Sequence, residues 1–88
     1  MNISHFYGRT GREIPNQFKI RQDDGSIIFR SYDSNIVKIT ADGEIFLDEN
    51  YWEYSVTTGK YRNEFLGENK QETWKKIKSG EYKLTNLN

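Results

Sequence analysis

Two Asp-Gly pairs, Asp24-Gly25 and Asp42-Gly43, interrupt runs of β-branched and aromatic residues, and they constrain the fold of this chain more than any other feature. Asp-Gly favours the positive φ angles of a tight hairpin turn. Before the first pair, residues 17–22 (Gln-Phe-Lys-Ile-Arg-Gln) alternate polar and apolar, so Phe18 and Ile20 share one face and Lys19 and Arg21 the other. After it, residues 27–32 (Ile-Ile-Phe-Arg-Ser-Tyr) are rich in strand formers. Asp33-Ser34-Asn35 is another turn signal, residues 36–40 form a third strand, and residues 44–48 form a fourth beyond Asp42-Gly43. The expectation is an α+β domain: an antiparallel four-stranded meander, with two Asp-Gly hairpins, covered by one or two short C-terminal helices. Such a sheet buries one face and needs a cover for it.

The cover is read from residues 57–79. Thr57 or Thr58 can cap a first helix. Tyr61 and Phe65 then fall on one helical face with Leu66 beside them, and Gly67 ends the segment. Asn69 caps a second helix, and Glu72, three residues on, completes a capping-box-like pattern in which Ser or Thr is the usual first partner. Trp74 and Ile77 give this helix a narrow apolar stripe, lysines fall in its last turn, and Ser79-Gly80 stops it. Residues 80–88 read as a short strand or a frayed tail. Residues 1–16, broken by Gly8, Gly11 and Pro15, read as irregular; a loop, a mobile arm and a short strand near Ile3 all fit them. With 88 residues the whole is expected to be a single domain.

Composition narrows the chemistry. Hydrophobic residues are 34% of the chain, a shortfall partly met by thirteen aromatic rings (five Phe, six Tyr and two Trp) that bury large areas each. A core that small leaves a homodimer or a permanent partner open. No cysteine is present, which removes disulfides, thiolate metal sites and a Cys nucleophile. His5 is the single histidine, so no histidine-pair metal site is expected, and no cofactor is implied. The acidic pairs Asp23-Asp24 and Asp48-Glu49 read as turn or strand-edge residues and not as a catalytic dyad, since neighbours on a strand face opposite ways. No apolar stretch reaches membrane-spanning length, and the N-terminus lacks the pattern of a signal peptide; the expectation is a cytoplasmic protein with no membrane partner.

Thirteen basic and thirteen acidic residues cancel. That argues against a strongly basic nucleic-acid binder and equally against an acidic DNA mimic. The charges are nonetheless segregated. Residues 42–53 hold Asp42, Glu44, Asp48, Glu49 and Glu53 with no base, and residues 70–78 hold Lys70, Lys75, Lys76 and Lys78 against Glu72 alone. These runs either pair within the fold or form a two-signed surface for a partner.

One segment carries the functional signal. Tyr51, Trp52 and Tyr54 form an aromatic run just ahead of the first helix, with Lys60 and Arg62 close by. Read as a strand, the run turns Trp52 and Tyr54 to one face, either into the core or outward as anchors for a partner, since Trp, Tyr and Arg dominate binding hot spots. Arg62 can pair with Glu53 or Glu64. Thr57, Thr58, Gly59 and Lys60 offer hydroxyls, free amides and a cation at a helix start, a weak anion-binding signal without P-loop glycine spacing.

Residues 31–36 (Ser-Tyr-Asp-Ser-Asn-Ile) and residues 51–67 (Tyr-Trp-Glu-Tyr-Ser-Val-Thr-Thr-Gly-Lys-Tyr-Arg-Asn-Glu-Phe-Leu-Gly) resemble a family of short uncharacterised proteins from phages and mobile elements of Firmicutes and gut bacteria. The resemblance covers residues 27–84 and transfers no catalytic residue. It implies a phage accessory protein, a class that includes anti-CRISPR inhibitors of host defence. The leading expectation is a non-catalytic protein that blocks a host protein, such as a CRISPR nuclease complex, in the host cytoplasm. The alternative is a module for a nucleotide or single-stranded nucleic acid.

Overall fold

The computed structural model describes residues 1–88 and places β1 (Asn2–Tyr7), β2 (Glu13–Arg21), β3 (Ile27–Ser31), β4 (Ser34–Ile39) and β5 (Ile45–Asp48) ahead of α1 (Val56–Leu66), α2 (Lys70–Ser79) and β6 (Tyr82–Thr85). The six strands form one sheet in sequence order, antiparallel from β1 to β5 and parallel between β5 and β6. Both expected Asp-Gly turns are present, with Gly25 and Gly43 at φ 89° and 90°. The α+β class and the antiparallel meander therefore hold, and the expected four strands become six.

The additional strands have identifiable causes. Residues 1–16 are not irregular throughout. Ser4 and Phe6 turn to one face of β1, Ile3 and His5 to the other, and Ile3 aligns with Ile20 and His5 with Phe18. Gly8 and Arg12 close the link to β2 with a 2.8 Å backbone bond. At the other end, residues 82–85 extend along β5, and residues 86–88 are held rather than frayed. Leu87 N and Asn88 Nδ2 donate to the Asp48 carboxylate, while Asn35 N donates to Asn88 Oδ1.

Strand register separates two faces. Lys19, Phe29, Val37, Leu47 and Leu84 align across the sheet beneath the helices. Ile20, Ile28, Lys38, Phe46 and Lys83 align on the opposite, helix-free face. The core lies under the helices and is aromatic: Phe6, Phe29, Trp52, Tyr61 and Tyr82 are buried with Ile36, Val37 and Leu47. Phe6 meets Phe29 at 5.4 Å and Tyr61 at 5.5 Å, edge to face, and Phe65 stacks on Phe29 at 5.7 Å. Edge and offset contacts of this kind add to the burial of the rings themselves.

Both helices end at glycine, Gly67 and Gly80, as expected. The Asn69–Glu72 capping box of α2 is complete in both directions. Its expected apolar stripe holds in part: Ile77 packs against the core, but Thr73 is the fully buried residue of α2 and Trp74 is half-exposed. Glu68 makes Thr73 compatible with that position. Its carboxylate accepts from the Thr73 hydroxyl (2.6 Å), Lys76 Nζ (2.8 Å) and Tyr82 Oη (2.7 Å), tying the inter-helix link to α2 and β6. No helix is long and apolar enough to cross a membrane.

Candidate functional site

Where the sheet gives way to α1, the chain turns instead of extending. Asp48 closes β5 with a fully buried carboxylate. Its Oδ2 accepts from the amides of Asn50 and Tyr51, both at 3.0 Å, and its carbonyl accepts from Trp52 N. Residues 49–54 are thus wound around one acid, which corrects the strand expected for the aromatic run. The consequence is a different division of the rings. Trp52 goes into the core, while Tyr51 and Tyr54 stay exposed and meet edge to face at 5.4 Å.

The cap of α1 is Ser55, not Thr57 or Thr58. Its Oγ accepts from Thr58 N at 3.1 Å. Thr58 is buried, with its hydroxyl bonded to Ser31 Oγ at 2.9 Å, so it is withdrawn from the anion-binding set proposed for residues 57–60. Thr57 is exposed and lies outside the cleft described below; Gly59 and Lys60 line it. Ser55→Ala is expected to lower stability by about 1 kcal/mol in urea unfolding, while Thr57→Ala leaves it unchanged.

Arg62 is the unusual group. It is 2% exposed and runs back under the turn. Nη1 donates to Trp52 O at 2.6 Å and Nη2 to Asn63 Oδ1 at 2.9 Å; Nε has no partner. Neither Glu53 nor Glu64, the partners expected for it, bonds to it. Burial pulls its pKa below the usual arginine value, and the charges of Glu53 and Glu68 work against that pull. Its guanidinium also lies 5.3 Å over the Trp52 ring. Trp52 in turn stacks on Trp74 at 5.9 Å and 8° between planes, and Lys78 Nζ sits 5.5 Å from the Trp74 centroid. Each of the two parallel indoles thus has a cation over its ring, an arrangement favoured by the negative ring faces.

A wide-mouthed cleft of about 770 Å³ has Arg62 in its wall together with Tyr54, Val56, Gly59, Lys60 and Lys70. Beside it is a recess of about 370 Å³ bounded by Trp52, Gln71 and Trp74. Glu53 and Lys70 border both, and they bond to each other at 3.0 Å. This pair is where the acidic run 42–53 meets the basic run 70–78; Lys76 turns instead to Glu68. Of the residues proposed from sequence, Tyr54, Lys60 and Arg62 line one cleft, Trp52 bounds the neighbouring recess, and Tyr51 lines neither but packs on Tyr54. Glu53, Lys70 and Trp74 were not among them, nor was Val56, which is 91% exposed at the first position of α1. Val56 was legible only as an apolar residue that the Tyr61–Phe65 face of α1 does not use.

His5 is remote from this region on β1, held by Glu13 at 3.2 Å and the Ile14 carbonyl at 3.4 Å. A family model described as a family of unknown function, DUF8033, matches residues 1–81. The chain belongs to that family. The match takes in the whole α1 junction and α2 and stops short of β6, and it extends over the N-terminal strands beyond the resemblance noted from residue 27. No curated protein and no solved structure matches the chain. Membership of DUF8033 therefore supplies a relationship and no activity.

Proposed function

We propose that this DUF8033 member is a non-catalytic binding protein that docks a partner protein on the α1 junction. The observation that carries the reading is a group of exposed apolar side chains at one junction: Tyr54, packed on Tyr51, and Val56 line the Arg62 cleft, and Trp74 stacks on the buried Trp52. Aromatic residues and arginine at a well-packed centre are the usual composition of a binding hot spot. The cations Lys60, Arg62 and Lys70 outnumber Glu53 at the cleft, so the partner is one that presents acidic side chains beside apolar ones. If the protein serves as a phage accessory factor, as the sequence resemblance implies, the partner is a host defence protein and the mechanism a steric block.

Val56→Asp tests this reading with little risk to the fold, because Val56 makes almost no internal contact. The expected result is an unchanged melting temperature and capture of the partner from host lysate weakened at least about 30-fold, the loss typical of a hot-spot residue. Capture unaffected by Val56→Asp and by Trp74→Ala would remove the junction from consideration. A second reading, binding of a nucleotide or a single strand, draws on the same cation excess; steep weakening with added salt would favour it over a protein partner.

A further inference from the structure

We propose that the cleft with Arg62 in its wall is a socket for the phosphate group of a small molecule. The inference rests on the junction being the binding surface of this protein, but not on the partner there being a protein. Arg62 supplies the first argument. A guanidinium removed from water is costly unless its charge and N–H groups are satisfied. Here it bonds to one carbonyl and one amide oxygen, carries no carboxylate, and leaves Nε unpaired. An oxyanion bound in the cleft would balance that charge.

The surroundings specify the kind of anion. Lys60 and Lys70 face the same space, and Glu53 is the one acid among its lining residues. Three cations against one carboxylate leave an excess of two positive charges, which matches a phosphate monoester near neutral pH better than a single carboxylate. Ser55 caps α1 through Thr58 N, so the amides of Val56 and Thr57 remain free at the positive end of the helix dipole, and the first turn carries no acidic residue. The cleft exceeds the needs of an isolated ion and falls within the range of small-molecule pockets.

Gly59 is the second, independent observation. It lies in the first turns of α1 with ordinary helical backbone, so the main chain gives no reason for the poorest helix former after proline. A Cβ at this position would stand 3.7 Å from both Nη1 and Nη2 of Arg62. Glycine keeps a side chain off that side of the guanidinium, which is otherwise buried; any other residue thickens the wall between Arg62 and the cleft.

The test is a 15N-detected NMR titration with sodium phosphate against sodium chloride at equal ionic strength, and then with adenosine monophosphate. Saturable shifts are expected at Arg62 Nε–H and at the amides of Val56 and Gly59, which line the cleft. Gly59→Ala should weaken phosphate binding at least about tenfold while the melting temperature holds or rises, and Lys60→Met, at an exposed position, should weaken it as well. Tighter binding of the monophosphate than of phosphate, with shifts spreading to the Trp74 indole, identifies an ester as the ligand; equal affinity identifies free phosphate. Absence of saturable shifts over the chloride control, or unchanged binding in Gly59→Ala, overturns the socket. Neither result touches the docking surface, which stands or falls on capture by the Val56→Asp protein.

Discussion

Asp48→Asn is expected to lower the unfolding free energy by about 3 kcal/mol, a large share of the roughly 4–13 kcal/mol that holds a domain of this length together. The substitution changes almost no volume, so the loss comes from hydrogen bonding. Oδ2 accepts from the amides of Asn50 and Tyr51, and Oδ1 accepts from Leu87 N and Asn88 Nδ2. Asparagine keeps one acceptor oxygen and sets an NH2 group against the other pair of donors. One segment, either the turn at 49–54 or residues 86–88, is then left with partly buried N–H groups facing a donor. A lowered urea midpoint should be accompanied by faster amide exchange in one of these segments. An unchanged midpoint would show that the acid organises neither. Because the same turn seats Trp52 and orients Tyr54, the variant should also weaken binding at the junction, an effect that Val56→Asp produces without loss of stability.

Glu68→Gln is expected to cost about 2 kcal/mol and to alter how stability depends on pH. The Glu68 side chain is 5% exposed. Burial disfavours its charged form, yet hydrogen bonds from Lys76, Thr73 and Tyr82 outweigh that effect and hold its pKa below the usual glutamate value. A depressed pKa in the folded state means that the carboxylate contributes fully above the unfolded value of about 4.3 and that this contribution drains away as pH falls through the native value. Tyr82 has the opposite sign. Burial and its bond to Glu68 push it up to about 12, so its contribution is complete below the unfolded value near 10 and is lost as pH rises through about 12. Melting temperatures measured across the pH range should therefore fall at both extremes in the native protein. In Glu68→Gln the acidic slope should flatten; an identical acidic slope in the two proteins would mean that other carboxyls cause it.

The parts of this fold that were legible in the sequence are those set by local chemistry. Asp24-Gly25 and Asp42-Gly43 announced their turns because few other pairs tolerate the backbone angles required. Asn69 and Glu72 announced the start of α2 because each side chain needs the other's backbone at that spacing. The illegible parts depend on residues distant in sequence. The alternation of β1 is short and polar, and only its pairing with Phe18 and Ile20 makes it a strand. Tyr51, Trp52 and Tyr54 have strand-forming side chains, and their neighbour Asp48 overrules them by gathering the amides that a ladder would have used. Ser55 outcompeted two equally plausible threonines because Thr58 is drawn inward by Ser31, across the helix–sheet boundary. The aromatic and cationic members of the candidate site could be named from sequence, since their types alone suggest binding. Trp74 and Lys70 could not be placed there, because nothing local reveals that α2 folds back to stack one indole on another.

The parallel pairing of β5 with β6 has a consequence for how the molecule assembles. Each antiparallel strand meets its sequence neighbour and encloses little chain, whereas Ile45 meets Tyr82 only across the turn and both helices. The entropy lost on closing a loop grows with the chain it encloses, and long-range pairing is slow for that reason. Winding α1 and α2 shortens the gap, so β6 has to wait for them. Synthesis imposes the same order, delivering the meander first. Until β6 arrives, the growing chain presents an open strand edge along β5, with Asp48 at its end and only half of its donors in reach. That interval is when a nascent chain of this fold is most open to pairing with the wrong neighbour.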